Sequence, residues 1–170
     1  MNTRIDRRQC LRTGAAGVLA GAAFGARALG LAAADESPKP VRIAVIGLGG
    51  RGRYLLRCLL SHHPGVIVPA LCELQEDRLQ AGMDIAKKIK GTTPDGYCKG
   101  EYEYRNMLER DDVDGVLVAT GVQKFGRIAT DVMKAGKHVG TEVTGPHTLE
   151  DCWAIVEEHE RSGKHYMLLE

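Results

Sequence analysis

The residues of this chain that could do chemistry together are a glycine cluster, an acid placed after it, and polar residues that follow apolar runs. Gly47, Gly49 and Gly52 stand in G-x-G-x-x-G spacing directly after the β-branched run Val41 to Ile46. Glycines between a strand and a helix make a tight turn and leave the backbone bare, so that a pyrophosphate can reach main-chain N–H groups. Glu73 follows a second apolar run, about 20 residues beyond the last motif glycine, where this fingerprint places a carboxylate for ribose hydroxyls. A carboxylate there also repels a 2′-phosphate, which favours NAD over NADP. Thr120 closes the apolar run that starts at Val113. Doubly wound sheets hold ligands at the carboxyl ends of their strands, so Thr120 to Gln123 should lie beside the cofactor.

These residues need a frame, and apolar periodicity predicts one. Strands are expected at Val41–Ile46, Val66–Leu71, Tyr97–Cys98 (a short one), Val113–Thr120, His138–Glu142 and His165–Glu170. Helices are expected at Arg53–His62, Glu76–Lys90, Tyr102–Glu109, Ile128–Ala135 and from the cap at Thr148 to Ser162-Gly163. Pro69 inside the second strand points to an edge or a bulge, because proline cannot donate to the ladder. Strict alternation of strand and helix predicts an α/β fold, a doubly wound parallel sheet of the Rossmann kind with strand order 3-2-1-4-5-6.

Composition narrows the function classes. The chain has 170 residues and a formal net charge of +1, but residues 1–34 hold five arginines against Asp6 alone, which leaves residues 35–170 at −3. A mildly acidic domain without a basic patch argues against nucleic acid. No apolar run is long and pure enough for a convincing membrane span. The cysteines (Cys10, Cys58, Cys72, Cys98 and Cys152) form no C-x-x-C pair and read as buried free thiols. His62-His63 reads as a solvated helix end, and no metal site is expected.

Arg7-Arg8-Gln9-Cys10-Leu11-Arg12 looks like a twin-arginine export motif. A Gly/Ala-rich apolar stretch and the small residues Ala32-Ala33-Ala34 follow it, in the order of a targeting segment. Residues 1–34 are therefore expected to be a signal peptide, residues 35–40 a linker and residues 41–170 a dinucleotide-binding domain, exported to the periplasm or secreted and free of the membrane after cleavage.

The opening Val41–Ile46 with its glycine motif, Val113-Asp114-Gly115-Val116-Leu117-Val118-Ala119-Thr120, Ala135-Gly136-Lys137-His138-Val139 and Glu142 together resemble the Gfo/Idh/MocA family over the whole of 41–170. Most of that family carries Glu-Lys-Pro after the fifth strand, whereas this chain has Glu142-Val143-Thr144. Glu-Val there is similar to one branch, the NAD-dependent α-N-acetylgalactosaminidases of glycoside hydrolase family 109. Tyr104–Leu108, Val139–Val143, Thr148–Trp153 and Met167–Glu170 are similar to that branch too.

The resemblance implies NAD as a recycled cofactor that takes hydride from a sugar carbon and returns it, outside the usual two-carboxylate scheme of glycosidases. It implies that Gly47, Gly49, Gly50, Arg51 and Gly52 face the pyrophosphate, that Glu73 takes the adenosine ribose, and that Thr120, Gln123, Glu142 and Val143 line the nicotinamide side. Two departures stand out. Phe125 occupies the place of a histidine in the branch, and the branch's second, α+β domain, which holds the sugar, lies outside this sequence. Three readings follow: the cofactor domain of a family 109-like glycosidase, a sugar oxidoreductase with net redox, or a truncated nucleotide-binding module. A sugar or glycoside is the expected partner only if a second domain is supplied. The chain alone is expected to bind NAD without turnover.

Overall fold

A computed structural model describes residues 39–169. The expected signal peptide (residues 1–34) and most of the expected linker lie outside these residues. The domain starts with β1 (Val41–Ile46), α1 (Gly50–His62), β2 (Val66–Ile67), β3 (Ala70–Cys72), α2 (Glu76–Lys90), β4 (Asp95–Tyr97) and α3 (Glu103–Leu108). It continues through β5 (Gly115–Val118), a 3₁₀ turn (Val122–Lys124), α4 (Phe125–Lys134), β6 (His138–Thr141), α5 (Leu149–Ser162) and β7 (Tyr166–Leu168). Every strand pairing is parallel, and the order is β4-β3-β1-β5-β6-β7, with β2 also on β1. Counting β2 and β3 as one interrupted strand, this is the expected 3-2-1-4-5-6.

The interruption is the main departure from the expected elements. Val68-Pro69 splits the second strand, because Pro69 has no N–H for the ladder; its carbonyl instead accepts from Asp95 N at 2.9 Å. β4 consequently starts at Asp95 and ends at Tyr97, earlier than expected. α1 begins at Gly50 and α4 at Phe125, each three residues before its apolar stripe was expected to start.

β1 is apolar on both faces because both are covered. Val45 packs with Leu56, Leu60, Leu71, Leu79 and Ala86 under α1 and α2. Ala44 and Ile46 pack on the other face with Tyr104, Met107, Ile128, Val132 and Ile155 from α3, α4 and α5. In α4, Phe125, Ile128, Ala129, Val132 and Met133 recur at helical spacing and are all buried. Each large side chain among them contributes about 1.5–3 kcal/mol by leaving water. At the opposite end of the sheet Arg42 grips Asp114 with two guanidinium bonds, at 2.5 and 3.0 Å, which pins β1 to β5. Lys137 is buried and donates to the carbonyls of Arg110 (2.6 Å) and Val113 (3.1 Å), and its burial pushes its pKa down.

The cysteine reading needs correction. Among the described residues Cys72 is buried, Cys58 and Cys98 are half-buried and Cys152 is exposed; all four are free thiols. Cys152 sits on the outer side of α5, where Trp153 and Val156 are also exposed.

Candidate functional site

The carboxyl ends of β1, β3, β5 and β6 converge on the glycine cluster. Gly47 has φ +90°, and a side chain there would run into the Ala119 carbonyl. Gly47 N donates to Cys72 O at 2.8 Å, and Ala119 N to Ile46 O at 2.8 Å, so the turn is tied to strands on both sides. A side chain at Gly52, in the first turn of α1, would collide with the Gly47 carbonyl oxygen. These two glycines let turn, helix and strand close up. Gly49 and Gly50 differ: nothing lies within 4 Å of where their Cβ atoms would be. They leave bare backbone at the N-terminus of a 13-residue helix that has no side-chain cap and no acid in its first turn. Its N-terminal amides and positive dipole end suit an anion.

Glu73 follows β3 and faces this loop. Its Oε2 accepts from Leu48 N at 2.6 Å, and its Oε1 accepts from Leu74 N at 2.7 Å and Gln75 N at 3.2 Å. The carboxylate is thus fixed at the rim of a cavity of about 300 Å3 lined by Gly47, Gly49, Glu73 and Thr120. The same cavity is walled by Arg78, Glu101, Tyr104 and Lys124, which the sequence reading did not single out. Glu101 follows β4, so the rule that ligands lie at strand ends could have found it. Lys124 (2.6 Å) and Arg127 (2.7 Å) bond to Glu101 and hold its carboxyl down at about 2. Burial pushes the Cys72 thiol up to about 12, so this part of the wall stays neutral.

A second cavity of about 210 Å3 is lined by Arg51, Thr120, Glu142 and Val143, with Ala119, Val122 and Phe125. Arg51 Nε donates to Glu142 Oε1 at 2.8 Å. Ala119 and Thr120 line both cavities and divide them. The glycine loop borders the first cavity through Gly49 and the second through Arg51. Gln123 stands apart: it lies in the 3₁₀ turn, exposed, and lines neither cavity. Phe125 is 2% exposed and presents an apolar wall. Among the described residues no group of three or more His, Cys, Asp or Glu side chains is placed to hold a metal ion.

The arrangement fits a dinucleotide. An open backbone cradle at a helix N-terminus suits the diphosphate, and a fixed carboxylate beside the larger cavity suits a ribose diol. The smaller cavity beyond Thr120 leaves room for a second ring. The model of the "Oxidoreductase family, NAD-binding Rossmann fold" (GFO_IDH_MocA) matches residues 41–169.

The chain belongs to the Gfo/Idh/MocA family. It carries that family's NAD-binding Rossmann domain. It is 40% identical over 143 residues to an alpha-N-acetylgalactosaminidase of Bacteroides fragilis, a match covering 84% of this chain and 32% of that one. It is 31% identical over 182 residues to an alpha-N-acetylgalactosaminidase of Shewanella oneidensis, covering 98% and 39%. The chain thus spans about a third of the length of the curated relatives it matches. The WlbA dehydrogenase of Chromobacterium violaceum, solved with NADH and UDP-GlcNAcA, shares the fold at a TM-score of 0.66 and 22% identity, over 78% of this chain and 36% of that one.

Proposed function

We propose that this chain is the cofactor-holding part of an NAD-dependent glycosidase of the family 109 kind, acting on an α-linked N-acetylgalactosaminide. The 40% identity to the Bacteroides fragilis enzyme across 84% of the chain carries this reading. NAD, when bound, supplies a hydride acceptor that is restored within the same catalytic cycle. The chain's residues bind and orient it. Gly49 and Gly50 admit the diphosphate to the amides of α1. Glu73, fixed by three main-chain N–H groups, receives the adenosine ribose. Thr120 separates the two ends of the ligand, and Glu142, Val143 and Arg51 form the wall on the nicotinamide side.

Val143 stands where most of the family has lysine, so this wall has no ammonium group at that position to serve an ordinary alcohol dehydrogenase reaction. Phe125 offers no proton donor or acceptor to a sugar. Neither position offers a group to handle the sugar's protons. The test is calorimetric titration of the purified chain with NAD, with an assay on a chromogenic α-N-acetylgalactosaminide alongside. The expected result is binding without cleavage. Cleavage by the chain alone would overturn the division of labour, and net NADH production from a free sugar would favour the oxidoreductase reading.

For the N-terminal segment we propose twin-arginine export to the periplasm or beyond. Among the described residues no helix is long and apolar enough to cross a membrane. Changing Arg7 and Arg8 together to lysine should strand the precursor in the cytoplasm; unchanged export would rule the route out.

A further inference from the structure

Arg51 and Glu142 come from opposite ends of the domain's sequence and meet on the wall of the smaller cavity. The bond from Arg51 Nε to Glu142 Oε1 is 2.8 Å long; the acid's side chain is 10% exposed and the guanidinium side chain 53%. The main chain that carries the acid is tied on both sides. Glu142 N donates to Val118 O at 3.0 Å, and Glu142 O accepts from Gly145 N at 3.2 Å. Arg51 sits in the first turn of α1, beside the open backbone of Gly49 and Gly50, with its guanidinium 5.4 Å from the centre of the Tyr54 ring. Two opposite charges therefore share a wall that is otherwise apolar apart from Thr120, with Val122, Phe125 and Val143 around them. The largely buried acid is poorly screened and the half-exposed guanidinium better screened, and a ligand in the cavity feels the balance of the two.

We propose that the Arg51–Glu142 pair sets the relative affinity of this domain for the oxidised and reduced forms of the dinucleotide. The proposal rests on the reading that the smaller cavity receives the nicotinamide. The two forms share their diphosphate and riboses and differ by one positive charge on the nicotinamide ring. Glu142 favours the charged ring, whereas Arg51 opposes it and keeps the carboxylate in one place. The pair together is nearly neutral, so the domain holds both forms within about tenfold of each other. That balance suits a cofactor that is reduced and reoxidised without leaving. Both are positioning residues, tuning the site through charge.

The experiment measures Kd for NAD⁺ and for NADH separately, by calorimetry on the purified 170-residue chain and its variants, and reads their ratio. A change in the fold or in the diphosphate contact moves both constants and cancels. Glu142→Gln should shift the ratio about tenfold in favour of NADH, and Arg51→Gln about tenfold in favour of NAD⁺, even as it weakens both. Should Glu142→Gln fail to fold, Arg51→Gln, whose side chain is half exposed, carries the test by itself. Tight binding with an unmoved ratio in Arg51→Gln, or shifts of the same sign in both variants, overturns the proposal and leaves the site reading intact. Failure of the unsubstituted chain to bind either form overturns the site reading itself, and this proposal with it.

Discussion

Glu73 ties the glycine loop to the end of β3 and, in the proposed reading, also receives the adenosine ribose. Its carboxylate accepts three main-chain N–H bonds, from Leu48 inside the glycine loop and from Leu74 and Gln75 at the start of α2's approach. Hydrogen bonds to a charged group are each worth about 1.5–3 kcal/mol, and the donors lose their partner if the acid goes. Glu73→Ala should therefore weaken NAD binding more than tenfold and also lower the melting temperature, both readable by calorimetry. A loss of affinity with no change in stability would show that the loop bonds contribute little. The glycine spacing was legible in the sequence, and so was the distance to Glu73. What the spacing could not divide was the labour among the glycines: Gly47 and Gly52 close the turn, whereas Gly49 and Gly50 leave it open.

At the scale of elements, α5 is capped as its sequence suggests. Thr148 Oγ1 accepts from Asp151 N at 3.1 Å. Thr148→Ala should cost about 1 kcal/mol in denaturant unfolding, with NAD affinity unchanged because the cap lies away from both cavities. β6 and β7 carry a second device. His138 Nδ1 accepts from His165 N at 3.1 Å, and the His138 and His165 rings stack 5.1 Å apart. Burial, then the charge of Lys164 and the proximity of His165, push the His138 pKa below the ordinary histidine value, against an opposing pull from Asp114. The neutral ring is thus favoured in the folded state. Its contribution is fully present above the unfolded value of about 6.5 and is lost as the pH falls through that value toward the folded one. Unfolding free energy followed by denaturant titration should decline over that window, and His138→Gln should flatten the decline. The strand break at Pro69 was signalled by proline chemistry. The early start of α4 was not, because Phe125 and Gly126 carry no capping signature.

At the scale of the domain, among the described residues, the two faces of the sheet are covered unequally. α3, α4 and α5 pack on one face, while α1 and α2 cover only the β1–β3 side of the other. Over β5, β6 and β7 that second face keeps an apolar groove of about 320 Å3, lined by residues that include Ile43, Leu117, Gly140, Met167 and Leu169. Parallel sheets are normally buried on both faces, so an open one forgoes part of its hydrophobic stabilisation. A ligand that binds only the folded domain adds to its stability. NAD at a hundred times its Kd should add about 2.7 kcal/mol, seen as a concentration-dependent rise in melting temperature. A melting temperature indifferent to NAD would contradict a preformed site.

The sequence by itself determined the order of the sheet, the position of the dinucleotide loop and the family. Alternating apolar runs and glycine spacing are local properties, and parallel strands with helical crossovers admit few topologies. Only the tertiary structure decided which candidates meet. Arg51 and Glu142 lie 91 positions apart and touch because β1 and β6 both flank β5, and the arginine that follows β1 reaches across the end of β5. Gln123, two residues from the cavity-lining Gly121, is exposed in the 3₁₀ turn and lines neither cavity, its amide oxygen lying back over Gly121. Side-chain direction at a strand end depends on the local turn and on what packs across it, and spacing along the chain carries neither.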